Sequence, residues 1–440
     1  MSGEGKRSDG LLGEGDHERH RLLQAPPALY VTALLLDSQT VFLLDKCKMP
    51  RADSAHTSQE HAYQVVHASP NEARPFLWSV PPERFEVFDM FQSCRLHKAM
   101  LIGFATLMLA GAPPLLAATL TVTNTDDSGP GSLRQTIANA SSGDTIVFGV
   151  TGMIILLRGE LVINKNLTIN GPGAGSLEIS GNSASRVFNI SGPFTVAISG
   201  VTIKNAHSAS DGGGINNSGT LTVTDSTFSG NSAADGGGIT NFGTLTVTNS
   251  TFSDNSATTF SGGGIVHSGS GTVTVTNSTF SRNSAANGGG ITNFGTLTVT
   301  NSTFSDNSAT TFSGGGIATA GSGTVTVTNS TFSRNSAANG GGGIVNGGTL
   351  MTVTNSTFSG NSAIGGGGIA NAGTLTVKNT LLANSRAGGN CSGSIISLGH
   401  NLSDDDKCAF IQTGDMNNTP AGLDPGGLKN NGGPTQTMRC

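Results

Sequence analysis

Through the second half of the chain, apolar and polar positions alternate in short bursts that never reach helical spacing. In Thr244-Leu245-Thr246-Val247-Thr248 the period is two. This predicts a half-buried strand with Leu245 and Val247 inward and the threonines outward. Asn249 and Ser250 turn the chain, and Thr251-Phe252-Ser253 forms a second short strand with Phe252 inward. Asn255 follows, then a loop, then Gly262-Gly263-Gly264-Ile265 as a third segment with Ile265 inward.

This grammar repeats. The stretch from Gly236 to Ile265 recurs unchanged from Gly288 to Ile317, an offset of 52 residues. Its landmarks are Phe228, Phe252, Phe280, Phe304, Phe332 and Phe358, with Leu381 in the equivalent place of the next unit. Units of this length, with three short strands and glycine corners, predict the coils of a parallel β-solenoid, stacked about 4.8 Å apart. Phenylalanines and isoleucines then form buried columns. Asn249, Asn277, Asn301, Asn329, Asn355 and Asn379 form a column at one turn, where asparagine tolerates left-handed backbone and its amide can bond its neighbour. Ser132-Leu133-Arg134-Gln135 has capping-box spacing, so residues 133–140 are expected to be a short helix plugging the N-terminal end. The irregular tract 391–437 is expected to cap the other.

The paired motifs GGGI and Phe-x-x-Asn (228–231, 252–255, 280–283) resemble the polymorphic outer membrane protein repeat. Proteins of that kind are similar to pectate lyases in being right-handed β-helices, and the resemblance implies display on a bacterial surface, often as an adhesin. The opening tract 119–148 and the closing NCSGSIISLGHNLSDDDKC and NNGGPTQT segments resemble a wider group of exported β-helix proteins. The expected fold is therefore all-β: a single-stranded right-handed parallel β-helix, three short strands per coil, with a short N-terminal capping helix. No autotransporter barrel follows, and a truncated C-terminal end is expected after Met438-Arg439-Cys440.

Composition changes the picture in two respects. The chain of 440 residues carries 64 glycines and only 12% charged residues, with a formal net charge of −5. Glycine at this level without a Gly-X-Y period would suggest disorder, but regular Leu, Val, Ile and Phe argue for an ordered repeat. Nothing forms a basic footprint for nucleic acid.

An export signal is legible at an unusual place. Arg95, His97 and Lys98 precede the apolar run Ala99–Ala112, and Ala117-Ala118 offer a small-residue exit. The competing reading is a signal anchor, since the run approaches spanning length; Pro113-Pro114 and the small exit favour cleavage. The expected organisation is an upstream extension at 1–89, a signal peptide at 90–118, a cap with first strands at 119–148, coils at 149–390 and an irregular cap at 391–440. On export, Cys391 and Cys408 are expected to close a short disulfide loop; in a reducing compartment they stay thiols.

Candidate chemistry is sparse. Asp254 and Asp306 occupy one repeat position, and Arg282 and Arg334 hold it in the alternate coils, between Gly230 and Gly360. The alternation predicts a surface ion-pair ladder rather than a catalytic carboxylate pair. Asp404-Asp405-Asp406 suits a solvated loop better than a Ca²⁺ site. His207, His267 and His400 show no metal-ligand spacing, and the Gly-Gly-Gly runs read as corners. Thr244, Thr246 and Thr248, repeated at Thr272, Thr274 and Thr276, at Thr296, Thr298 and Thr300, and at Thr324, Thr326 and Thr328, predict a flat grid of hydroxyls and methyls.

The leading functional expectation is a secreted or surface-displayed protein that binds glycans or cell surfaces, with no cofactor, no metal and no membrane span in the mature chain. The alternatives are a polysaccharide lyase or glycoside hydrolase, an ice-binding surface on the threonine grid, and a structural spacer. An enzyme's site would lie among Arg158, Glu160, Lys165, Glu178, Arg186, Lys204 and Asp211. Oligomeric state is not legible.

Overall fold

The computed structural model describes residues 117–348 and 350–439, together with two short strands, Tyr63–Val65 and Phe76–Trp78. The chain divides into two units, Met1–Ala112 and Pro113–Cys440. In the first, the two short strands pair antiparallel. The rest of the expected extension 1–89, and the expected signal peptide 90–118 apart from Ala117 and Ala118, lie outside the described residues.

The second unit is an all-β, right-handed parallel β-solenoid of about 11 turns. Three long parallel sheets run along it, of twelve, eleven and ten strands, each strand pairing with its counterpart in the next coil. They are called here the threonine, phenylalanine and isoleucine sheets, after strands such as Thr244–Thr248, Thr251–Ser253 and Ile265–His267. A fourth, six-stranded sheet accompanies them from His207–Asp211 to Ser336–Ala337. The middle coils thus carry four strands, one more than the polarity pattern shows. The extra strand is a two-residue Ser-Ala step in most coils, too short to leave an alternation.

Registry turns the repeat into columns. Phe228, Phe252, Phe280, Phe304, Phe332 and Phe358 stack with centroids 4.6–4.9 Å apart and nearly parallel planes. Fully buried aromatic contacts of this kind each add about 0.5–1.5 kcal/mol beyond area burial. The column continues through Leu382, the register partner of Phe358. Leu381 pairs with Thr357 and is half-buried, which corrects the placement expected from sequence. Two adjacent leucines leave the inward one undefined by pattern, whereas the ladder allows only one parity.

Three corners per coil use left-handed backbone. Asn249, Asn277, Asn301, Asn329, Asn355 and Asn379 have φ of 49–52°. Their side chains form an exposed ladder, each Nδ2 donating to the previous Oδ1, as in Asn277 to Asn249 at 3.2 Å. The second corner is the column of Gly230, Asp254, Arg282, Asp306, Arg334 and Gly360.

The third is glycine, for reasons of space as well as φ. Gly262 has φ of +69°, and a Cβ there would lie 2.3 Å from the Ile265 carbonyl oxygen. A Cβ on Gly263 would meet Gly289 O at 2.4 Å, and one on Gly264 would meet Gly290 O at 2.7 Å and the Phe280 ring at 2.9 Å. The corner folds against its own strand and against the next coil, leaving room for no side chain.

Between the second strand and this corner lies a buried ladder, built from the asparagines of the Phe-x-x-Asn motif, to which the sequence pattern assigned no burial. Asn231, Asn255, Asn283, Asn307, Asn335 and Asn361 are fully buried. Asn307 Nδ2 donates to Asn335 Oδ1 and to the Phe280 carbonyl, both at 2.9 Å, and its Oδ1 accepts from the Asn283 backbone and side chain. The amides satisfy backbone groups at a bend where no strand partner is available.

Both ends are closed. The helix Leu133–Asn139 brings Leu133 and Ile137 into the core. Ser132 accepts from the Gln135 backbone N–H, but the Gln135 side chain donates to Asn139 instead of returning to Ser132, whose own N–H is held by the Gly129 carbonyl. Arg134 clamps the cap to the first coils, reaching Asp127 at 2.7 Å and the carbonyls of Gly159 and Glu160 at 2.7 and 2.9 Å. At the far end Phe410 joins the core, and Cys391 continues the isoleucine column beyond Ile369. Residues 424–439 do not cap the end. They form a hairpin joined at Lys429 and Thr437 that lies on the outer face of the phenylalanine sheet, touching Asn301 and Thr303.

Candidate functional site

The threonine sheet presents its polar face in register. Thr222, Thr246, Thr274, Thr298, Thr326, Thr352 and Thr376 form one unbroken column. A second column runs through Thr224, Thr248, Thr276, Thr300, Thr328 and Thr354 to Lys378. Thr244 and Thr296 begin their strands at the third position. Thr244, Thr246, Thr248, Thr296, Thr298 and Thr300 are all half-buried, with Leu245, Val247, Leu297 and Val299 beneath them in the core. Rows stand about 4.8 Å apart along the axis, and alternate residues about 7 Å apart along each strand.

The edge of this grid carries aromatic rings that the sequence reading did not single out. Phe242 and Phe294 are exposed at 42% and 43%, immediately before Gly243-Thr244 and Gly295-Thr296. They occupy the same repeat position, two coils apart. The offset of 52 residues was the available signal, because an apolar residue in the turn of both copies cannot belong to the inward pattern.

The charged corner resolves into two separate pairs. Arg282 grips Asp254 with Nε and Nη2 at 2.8 and 2.9 Å, and Arg334 grips Asp306 at the same distances. Asp306 acts on Arg282 only through its field. The hydrogen bonds from Arg282 hold the Asp254 carboxyl below its ordinary pKa. Both carboxylates are thus occupied by bidentate partners.

Most charged residues of the early coils are also committed, but the exposed Arg158 side chain and the Asp211 carboxylate make no hydrogen bond or ion pair with the described residues. Arg186 binds Glu160 and the carbonyls of Asp211 and Gly212, and Glu160 also accepts from Asn189 at 2.8 Å. Lys165 Nζ donates to the Ala140 carbonyl at 2.7 Å, at the C-terminal end of the capping helix. Lys204 pairs with Glu178 at 3.3 Å. Asp211 and Asp235 are register partners in adjacent coils. Burial raises the Asp235 pKa, with a smaller push from Asp211, against the lowering by the Ser261 N–H. That N–H bond is repeated two coils later between Ser313 and the amide of Asn287, which marks it as a device of the 52-residue repeat.

Cys391 and Cys408 are joined by a disulfide with Cα atoms 4.9 Å apart. In the acidic run, Asp404 and Asp405 accept from the backbone N–H groups of Asn384 and Asn390 at 2.7 Å. His267 is fully buried in a column between Asn241 and Asn293 and bonds Asn241 Nδ2 and the Gly271 carbonyl at 3.0 Å. Among the described residues, no three His, Cys, Asp or Glu side chains are placed to hold a metal ion. Among them, too, no helix is long and apolar enough to cross a membrane.

With this geometry in hand, comparison with known proteins agrees at the level of fold. Residues 136–304 match the family model described as a right handed beta helix region. Among solved structures, the chain is similar to the catalytic unit of a GH87 alpha-1,3-glucanase from Streptomyces thermodiastaticus, with 15% identity, TM-score 0.36, and 68% of this chain and 72% of that chain covered. It is similar to the pectate lyase Pel9A, with 15% identity, TM-score 0.33, and 70% and 79% covered. It is also similar to the PL6 family alginate lyase AlyGC, with 15% identity, TM-score 0.33, 73% of this chain covered and only 55% of that one. No curated protein matches the chain.

Proposed function

We propose that this protein is an exported β-helix that works by adhesion, using its threonine sheet to bind glycans on a cell or matrix surface. The observation that carries this reading is the registered threonine grid with Phe242 and Phe294 along its edge. Hydroxyls at fixed intervals can exchange hydrogen bonds with a polymer of hydroxyls, and threonine methyls and phenyl faces can pack on the apolar faces of sugar rings. A rigid grid loses little entropy on binding, so many weak contacts can add. The apolar run at 99–112 with its basic flank supports export. Glu160, Glu178, Asp254 and Asp306 are each paired with a cationic side chain, which argues against their serving as the free carboxylates that hydrolysis needs.

The test is a glycan array and a cell-binding assay with the purified chain and with a Thr246→Arg/Thr298→Arg variant. Binding by the parent and its loss in the variant supports the reading. A folded parent that binds no glycan and no cell surface, or a variant that binds equally well, overturns it. Release of reducing ends or unsaturated uronates from polysaccharides would replace it with the enzymatic alternative, and inhibition of ice recrystallisation with the ice-binding one.

A further inference from the structure

The hairpin 424–439 occupies a surface that the chain contains twice. Its contacts are specific: Thr303 Oγ1 donates to the Gln436 carbonyl at 2.6 Å and lies 2.9 Å from Thr435 Oγ1. Thr435 Oγ1 lies 3.3 Å from the Asn301 carbonyl. Gly427 sits against Arg334, since a Cβ there would lie 3.4 Å from Nη1. Thr303, Ser305, Thr331 and Ser333 are buried, although their side chains point outward from the phenylalanine sheet, and Thr303 lies directly under the hairpin.

Residues 244–282 repeat 296–334 in everything but Val266-His267-Ser268, which becomes Ala318-Thr319-Ala320 on the isoleucine sheet, a different face. Every outward side chain of the occupied seat therefore has an identical counterpart two coils earlier: Asn249, Thr251, Ser253, Thr279, Ser281 and Arg282. Backbone geometry matches as well, with φ of 55° at both Arg282 and Arg334 and 50° at both Asn249 and Asn301. Yet this earlier copy is open. Thr251, Ser253, Thr279 and Ser281 are only half-buried, and the Arg282 side chain is 61% exposed against 38% for Arg334.

We propose that the open copy is a peptide-binding seat. It takes an extended, threonine-bearing, glycine- and asparagine-rich segment of another protein, in the manner in which the later copy takes residues 424–439. The ligand chemistry is set by what the closed seat satisfies: a backbone carbonyl over the Thr251 hydroxyl, a hydroxyl donor over the Asn249 carbonyl, and a small residue against Arg282. A second copy of this chain is not the occupant, because its own hairpin already has these contacts at home and exchange adds none while losing translational freedom. The two seats lie side by side on one sheet, two coils or about 10 Å apart, which is the width of a two-stranded hairpin at about 4.8 Å per strand, so both can be filled together.

The probe is a head-to-tail cyclised peptide of residues 424–439, closed where the Asp424 N–H already donates to the Arg439 carbonyl. Cyclisation spares the entropy of forming the hairpin on the surface. Calorimetric titration into the full chain should give one site per chain. Thr251→Arg should weaken binding by at least about tenfold. Thr246→Arg, on the threonine sheet, should leave it unchanged, and both variants should keep the parent's melting temperature. Absence of binding at millimolar peptide, undiminished binding to Thr251→Arg, or equal loss in both variants would each overturn the proposal. Failure here leaves the glycan reading untouched, since that reading rests on a different sheet.

Discussion

Arg282 holds both carboxylate oxygens of Asp254 from the neighbouring coil although both residues stand in left-handed backbone, with φ of 55° and 58°. Left-handed backbone costs an ordinary L-residue about 1–2 kcal/mol. An exposed ion pair returns about 0–1 kcal/mol. Strain at two such positions therefore exceeds what the pair returns, and the corner is held by the coils on either side of it. Arg282→Asn, which keeps tolerance of the corner and gives up the pair, should change unfolding free energy by less than about 1 kcal/mol. Arg282→Val should lower it by about 2 kcal/mol, because a β-branched residue suits positive φ least. A large loss in Arg282→Asn, measured by denaturant titration, would show that the pair matters more than the corner. The depressed Asp254 pKa means that the pair's small contribution is present above the ordinary carboxylate range and fades as pH falls through the lower folded-state value.

The buried asparagine ladder should be far less forgiving. Asn307→Ala removes two donated and two accepted bonds and leaves the Phe280 carbonyl and the Asn283 N–H without those partners in a fully buried bend. At about 1–3 kcal/mol for each orphaned buried group, the expected loss is about 3–5 kcal/mol. Urea unfolding of Asn307→Ala beside Asn329→Ala, in the exposed ladder, checks this; equal losses would refute the distinction between the two columns.

Asp235 is expected to be an improvable position. Its pKa is raised, so the folded state favours the protonated carboxyl, and the associated stability is present at low pH and lost as pH rises through the folded-state value. Asp235→Asn should accordingly raise the melting temperature at pH 7, with the gain vanishing below about pH 4, the ordinary carboxylate range. The bond from Ser261 should survive, as the Ser313–Asn287 bond does in the next repeat. A variant less stable than the parent at pH 7 would contradict this.

The disulfide closes a loop with a sequence separation of 17. Cross-linking a loop of that size stabilises by about 3 kcal/mol through the unfolded chain. Reduction, or Cys391→Ser with Cys408→Ser, should destabilise the C-terminal end first. Hydrogen exchange should show faster exchange around 391–419 while the Phe228–Phe332 coils stay protected; uniform protection would argue that the loop is held by other means.

Much of this was legible because a solenoid writes its fold into the repeat. Period-two alternation, recurring phenylalanines and the 52-residue offset define strands, inward faces and stacking by local rules alone, since each coil touches mainly its copies. The positions of the threonines, the Asn249 corner and the Asp254–Arg282 alternation follow for the same reason. What escaped is what depends on how coils meet. The burial of Asn307, the choice of Leu382 over Leu381 and the extra Ser-Ala strand are decided by registry across the ladder, which leaves no mark in a single coil.

The sequence by itself determined the repeating unit, the faces and the columns, because these arise from backbone geometry and hydrophobic period within about two dozen residues. Only the tertiary structure decided which polar side chains are spent on the fold and which face outward unspent. It alone brought Gln436 onto Thr303, a contact across more than a hundred residues, and thereby distinguished two seats that the sequence writes identically. No local rule separates them, because the difference lies in what else has folded back upon them.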